Sequence, residues 1–235
     1  MTFRLLAIES SQGGGSLALR DGDRLVATRT IASTERTVQT LAPRLQEILQ
    51  SAGWSPRDVQ VVAVGVGPGS FTGVRIAVAT AKSFAWAIGA QIIAVETFDA
   101  LAAGATNWTT LSAAVDAQRG QVYAARFTRP SEDAPATRTP VAIVNESDWL
   151  ASLPPGGLVV GAALDKLAAK LPSHAVLAPE EQRRATAVGV AIVASARIAA
   201  GSFDDVWKLQ PLYIRQSAAE EVWDKKHGPR PTPKA

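Results

Sequence analysis

Between a run of β-branched residues at 59–66 and an Ala-rich stretch that begins at Thr72 lies the segment GPGSFTGVR, residues 67–75. No other feature restricts this chain so tightly. Three glycines, Gly67, Gly69 and Gly73, allow backbone angles closed to other residues, Pro68 stiffens the turn, and Ser70 or Thr72 can cap a following helix. The run before it shows little polar alternation, as expected of a strand covered on both faces. The segment therefore predicts a tight strand-to-helix turn, with the helix over about 72–88. Free amides at such a helix start make an anion site, helped by the helix dipole. That makes Gly67, Gly69, Ser70, Thr72, Gly73 and Arg75 candidates for holding a phosphate or carboxylate. A second reading stands beside it, in which glycine is needed only for close packing. The segment contains no GK[ST] and no GxGxxG, so neither phosphate-loop pattern is matched.

The pattern on either side extends the prediction. Residues 5–8, 16–19 and 24–31 are short apolar runs separated by Gly13–Gly15 and by Asp21, Gly22 and Asp23, which reads as a three-stranded meander. Apolar residues then recur at three and four over 38–52, a helix stopped by Gly53; Pro43 fits its first turn if Thr40 is the cap. A strand at 92–95 and a short helix at 97–103 complete βββαβαβα. The chain then begins again, with strands at 111–115, 122–127 and 141–144, a helix at 147–153, a strand at 158–160, a helix at 164–171, a strand at 175–177 and a helix at about 184–200. Apolar strand, acid, polar turn and apolar strand occur twice, at Glu9 and at Asp116. The expectation is an internal duplication giving two α/β lobes, 1–104 and 105–220, with the boundary near 104–110.

A chain of 235 residues that is 47% hydrophobic can fill a real core. Its apolar stretches are too short or too Ala-rich to span a bilayer, and the amino terminus runs straight into the first strand with no cleavable signal, which places the chain in the cytoplasm, off the membrane. It has no cysteine, so disulfide and thiolate chemistry are excluded. His174 and His227 fall in no metal-binding spacing. The pI of 9.4 is a matter of position: Lys225, Lys226, Arg230 and Lys234 lie in the last eleven residues, and setting them aside leaves 20 of the 24 basic residues against 21 acids. The sequence thus predicts a near-neutral body with a basic, Pro-rich, disordered tail at 221–235.

Two groups of residues invite a functional reading. The helix after the glycine turn is apolar all round, with Val74, Ala77, Val78, Ala81 and Ala85 among its small and branched residues. It is either buried beneath its own lobe or forms a subunit interface with Val38, Leu41 and Leu45 of the preceding helix. Glu9 and Asp116 close the first strand of each lobe, and paired acids across a cleft can hold Mg²⁺ or orient a nucleophile. The neutral alternative is that each satisfies amides of its own turn.

Taken together, the motifs resemble a known family. The duplicated plan looks like the actin-like, ribonuclease H-like fold of actin, hexokinase and Hsp70. GPGSFTGVR followed by IAVATAKSFAWA closely resembles the diagnostic segment of the TsaB (YeaZ) family, and IESS at 8–11, VDAQRGQVY at 115–123 and PLYIR at 211–215 are similar to its other landmarks, in order. The resemblance implies a non-catalytic subunit in the synthesis of N6-threonylcarbamoyladenosine on tRNAs that read ANN codons. In that family the partner is the catalytic paralogue TsaD, and the pair works with the ATPase TsaE. The amino-terminal lobe makes the contacts, with a homodimer through the same surface when TsaD is missing, and tRNA is reached through the complex. No tightly bound cofactor, metal or catalytic residue is implied in this chain, and ATP, ADP or Mg²⁺ would belong at the interface within the complex. The family's first acid is usually Asp where this chain has Glu9, and the metal-binding histidines of TsaD are absent, so a protease reading has no residues to rest on. The rival reading is an independent actin-like ATPase using Glu9 and Asp116 with Mg²⁺, with Gly156 and Gly157 as a weak adenine-binding candidate.

Overall fold

Strands β1 (Arg4–Glu9), β2 (Gly15–Asp21) and β3 (Arg24–Ile31) form the antiparallel meander expected from the turns between them. Helix α1 (Thr37–Ser51) then leads to β4 (Val61–Gly65), α2 (Phe71–Ile88), β5 (Gln91–Val95) and α3 (Thr97–Gly104). The first sheet is ordered β3-β2-β1-β4-β5, with β4 parallel to both of its neighbours. The second half contributes β6 (Thr110–Gln118), β7 (Gln121–Thr128), β8 (Thr137–Arg138), β9 (Ala142–Asn145), α4 (Glu146–Ala151), β10 (Leu158–Val160), α5 (Leu164–Leu167), β11 (Val176–Leu177) and α6 (Ala187–Ala199). Its sheet runs β11-β10-β6-β7-β8, with β9 also paired to β7. In each sheet the opening strand is central, its antiparallel partners lie on one side and the parallel strands on the other. These features belong to a computed structural model that describes residues 3–35, 37–132, 134–215, 223 and 228. Apart from Trp223 and Gly228, the expected basic tail lies outside the described residues.

Alternation along the strands sorts the core into layers. Leu6, Ile8, Val62 and Val64 face α1 and α2, whereas Leu5, Ala7, Val61 and Ala63 face a middle layer built from α3 and α6. Leu111, Ala113 and Val115 of β6 face the same middle layer, and Ala114 and Val159 face α4 and α5. The two sheets thus share one core. Its centre admits close helix packing because the residues are small: a Cβ on Gly189 of α6 would stand 2.2 Å from the Ala100 carbonyl oxygen of α3. Chain position at 104–105 divides the two sheets, yet α6, from the second half, packs against β1, β2, β4 and β5 of the first.

Helix limits depart from the sequence reading in instructive ways. Helix α1 starts at Thr37, so Pro43 lies in its interior instead of its first turn. Gln39 and Pro43 are both exposed, which puts the carbonyl that loses its helical donor on the solvent side, where water replaces the bond. Helix α6 starts at Ala187, not near residue 184, because Thr186 caps it by accepting from the Gly189 amide at 3.2 Å. Strand β8 has only two residues, too few for any periodicity to announce it.

Phe98 is fully buried in the middle layer. Phe98→Ala should cost about 3–5 kcal/mol of unfolding free energy, measured by urea denaturation; a loss under about 1 kcal/mol would mean that the layer between the sheets is not closely packed.

Candidate functional site

The glycine turn sits on the β1–β2 turn, and its glycines are there for proximity. A Cβ on Gly69 would lie 2.2 Å from the Ser11 carbonyl oxygen, and one on Gly73 would lie 2.0 Å from that of Ser10. Both distances are far inside contact, and the opposing atoms are backbone. The Ser70 amide donates to the Ser11 carbonyl at 2.6 Å, and the Ser70 hydroxyl caps α2 by accepting from the Gly73 amide at 3.3 Å. The Gly67–Pro68 peptide is cis, Gly67 has φ near +100°, and its carbonyl accepts the Thr97 amide at 2.8 Å. Thr97 donates its hydroxyl to Ser11 at 3.0 Å. The amides of Ser70 and Gly73, two of the donors a phosphate would need, are thus engaged within the chain. Thr72 and Arg75 are exposed at the helix start, and Arg75 turns to Tyr213, donating to its hydroxyl at 2.6 Å.

Glu9 and Asp116 repeat one local device. Glu9 accepts the Ser11 amide at 2.5 Å and Asp116 accepts the Gln118 amide at 2.7 Å, each acid bonding the residue two positions on. Their surroundings then diverge. Glu9 is 2% exposed and shares the inner face of β1 with Leu5 and Ala7. Its Oε2 has no partner among the described residues and lies over Gly65, where a Cβ would be 1.8 Å away. Burial pushes this carboxyl above its ordinary range, with the Ser11 and Ser10 hydrogen bonds opposing. Asp116 is on the outer face of β6, beside α5, where Lys166 donates to it at 2.5 Å. Burial acts to raise its pKa, but the Lys166 ammonium and the Gln118 amide outweigh that and hold it below the ordinary range.

The two acids do not share a site. Glu9 lines a cavity of about 270 Å³ with the β1–β2 and β3–α1 turns, and Asp116 lines a separate one of about 220 Å³ with Asp165 and Lys166. Arg184 borders both: it donates to the Gln12 carbonyl in the first lobe and to Asp165 in the second. Gln12 in turn accepts the Ala185 amide at 3.1 Å. A shared Mg²⁺ site does not fit these residues, because one carboxyl is disfavoured as an anion and the other is held by a lysine. Among the described residues no group of three His, Asp or Glu could hold a metal ion. Gly156 and Gly157 precede β10, at its amino end, whereas ligands of open α/β sheets lie beyond the carboxyl ends of the strands. Sequence reading passed over Gln12, Lys166 and Arg184, because the contacts that unite them span up to 172 positions.

The expected subunit-interface residues require a correction. Leu41, Leu45, Val74, Ala77, Val78, Ala81 and Ala85 are buried in the core that α1 and α2 form with the first sheet, and only Val38 is exposed, at 68%. Their spacing identified the buried face of each helix, and the body that covers it is the chain's own sheet. The face left open is another one. Ala42, Ala79, Thr80, Ser83 and Phe84 line an open groove of about 500 Å³ between α1 and α2, floored by Leu45.

Two sheets of this order, duplicated around a shared helical layer, define an actin-like two-lobed α/β protein. YeaZ from Pseudomonas aeruginosa has this fold, superposing with a TM-score of 0.76 over 90% of this chain and 100% of its own, at 23% identity. The family model for TsaD, tRNA N6-adenosine threonylcarbamoyltransferase, matches residues 30–221. The chain belongs to that family, on its TsaB/YeaZ branch. It is 37% identical over 130 residues to the tRNA threonylcarbamoyladenosine biosynthesis protein TsaB of Escherichia coli, covering 54% of this chain and 56% of that one. With the protein of the same name from Bacillus subtilis it shares 36% identity over 121 residues, covering 51% and 52%. The chain thus spans about half the length of the curated relatives it matches.

Two outcomes follow from the turn geometry. Gly73→Ala should destabilise the fold by at least about 2 kcal/mol in urea denaturation, since backbone must move to admit the methyl; a neutral effect would remove the proximity argument. Because the Glu9 pKa is raised in the folded state, its contribution to stability is full below the unfolded value of 4.5 and is lost as pH rises through the folded one. The stability of Glu9→Gln relative to the parent should therefore increase from pH 4.5 to pH 8, and a difference independent of pH would show that Glu9 ionises normally.

Proposed function

We propose that this chain is a non-catalytic subunit in the synthesis of N6-threonylcarbamoyladenosine on tRNA, binding the catalytic paralogue TsaD through the α1–α2 face of its first lobe. The open groove along Ala42, Ala79, Thr80, Ser83 and Phe84 carries the proposal. It is open, and apart from Leu45 and Phe84 its lining is small, which lets a partner helix approach closely. Family membership and the names borne by the E. coli and B. subtilis relatives support the pathway. The TsaE ATPase joins this pair, tRNA is engaged through the complex in the cytoplasm, and a homodimer uses the same face when TsaD is missing. Any ATP, ADP or Mg²⁺ that the assembly uses is placed against a partner. The contrast between Glu9, buried with no cation beside it among the described residues, and lysine-paired Asp116 counts against an independent ATPase built on them.

Ala79 and Ser83 are exposed on the groove, so Ala79→Arg and Ser83→Arg should leave the urea midpoint unchanged while weakening TsaD binding at least about a hundredfold by calorimetry. Ala81→Arg, by contrast, places a charge in the core and should unfold the protein. Absence of any complex between the parent chain and its TsaD would end this reading.

A further inference from the structure

Beyond the groove, on the other side of α2, the chain exposes aromatic surface that the fold does not use. Residues 203–215 run along α2 in the opposite direction as a strap with one turn at 206–208. Asp204 accepts the Ala94 amide at 2.7 Å, Lys82 donates to the Trp207 and Leu209 carbonyls at 3.3 and 2.9 Å, and the Leu212 amide donates to the Val66 carbonyl at 2.7 Å. Arg215 then reaches the second lobe, donating to the Ala117 carbonyl and to Gln121. Leu209 is buried and Phe203, Val206 and Ile214 pack against the core, so that these residues and the polar bonds fix the strap while Trp207 and Tyr213 are left outward.

They meet side chains of α2 in two pairs. Trp86 and Trp207 lie edge to face with ring centroids 6.4 Å apart, and they are 65% and 71% exposed. Phe71 and Tyr213 are 5.0 Å apart and 38% and 44% exposed, with the Arg75 guanidinium 3.8 Å from the Phe71 centroid. Surface Trp at this exposure contributes little to folding, while Trp, Tyr and Arg are the residue types that dominate binding energy at protein interfaces. The pairs are set by residues 71 and 86 of one helix, about 22 Å apart at 1.5 Å per residue, or roughly four helical turns. Charge adds a further constraint. Among the described residues no carboxylate is within ion-pair distance of Arg75, Lys82 or Lys208, although ion pairs elsewhere include Arg138 with Glu96 and Arg197 with Asp204.

We infer that the strap is the anchoring half of the docking surface, and that its occupant is a helix of a protein partner, at least four turns long, apolar where it meets the two aromatic pairs and carrying carboxylates opposite Arg75 and Lys82. This rests on the subunit reading above and extends the contact from the groove, across Ala79 and Ser83, to the strap. Single-stranded RNA also stacks on aromatic side chains. Here, however, the acid Asp205 lies among the few cations of this face, Arg75, Lys82 and Lys208, and accepts the Trp207 amide at 2.8 Å, so the unbroken run of cations that tracks a phosphate backbone is missing.

The test is calorimetric titration of the full chain with TsaD, comparing the parent with Trp86→Ala/Trp207→Ala, Phe71→Ala/Tyr213→Ala and, as a control on exposed second-lobe surface, Val176→Ala. Each aromatic double variant should bind about thirtyfold or more weakly at an unchanged urea midpoint, and Val176→Ala should bind like the parent. Arg75→Glu should weaken binding further at low salt than at high salt. If Ala79→Arg weakens the complex but both aromatic variants bind normally, the strap proposal is overturned while the subunit reading stands; if the parent does not bind, the subunit reading fails and takes the proposal with it. Aromatic variants that bind TsaD normally but lose an unstructured oligouridylate would assign the strap to RNA instead. Should a variant unfold, the parent's tryptophan emission decides: it should shift to shorter wavelength when the complex forms, and no shift would overturn the proposal.

Discussion

Everything at the mouth of this molecule depends on two backbones touching. Gly69 and Gly73 rest on the carbonyls of Ser11 and Ser10 at distances that exclude even a methyl group. That seat brings the end of β4 and the start of α2 against the β1–β2 turn, and the Ser70 amide and Ser11 carbonyl lock it at 2.6 Å. From there α2 runs outward with its small residues against the first sheet, its ridge exposed, and the strap along its far side. An anion site and a packing corner are built from the same glycines, and the difference lies in where the amides point. Here Ser70 and Gly73 direct theirs to the chain itself.

Duplication has preserved the frame and altered the contents. Each lobe keeps its central strand, its acid at the strand end, and the bond from that acid to the amide two residues later. One acid is sealed over a glycine on the inner face of its sheet and the other is exposed to a lysine on the outer face. A protein that needed both as ligands for one ion would have to bring them to a common cavity. In this chain Arg184 stands between their cavities and binds one lobe to the other. The middle layer does the same at larger scale, since α3 and α6 give the two sheets one core.

Much of the architecture was legible in the amino-acid order because it rests on local rules. The short apolar runs bounded by turn residues, the three-and-four spacing of α1, the β-branched run before the glycines and the repeated strand-acid-turn pattern are each set by neighbours within a few residues. The landmarks from residues 8–11 to 211–215 pointed to the family that the comparison with known proteins then showed. Less was legible at the site. Ala81 and Ala85 read equally well as a buried face or as a docking face, because small apolar residues suit both. Trp86 and Trp207 are 121 positions apart in the chain, and nothing local couples them.

By itself, then, the sequence determined two α/β halves, a glycine corner joining strand to helix, and a family. Tertiary structure decided which surfaces are free. It put Leu41, Leu45, Ala77, Ala81 and Ala85 inside, left Val38, Ala79 and Ser83 outside, sent Glu9 and Asp116 to different cavities, and laid the strap along α2. The physical reason is that periodicity reports only that a face is covered. What covers it depends on sheet twist, helix approach distance and the return of distant chain, which are settled by contacts between residues that the sequence keeps far apart.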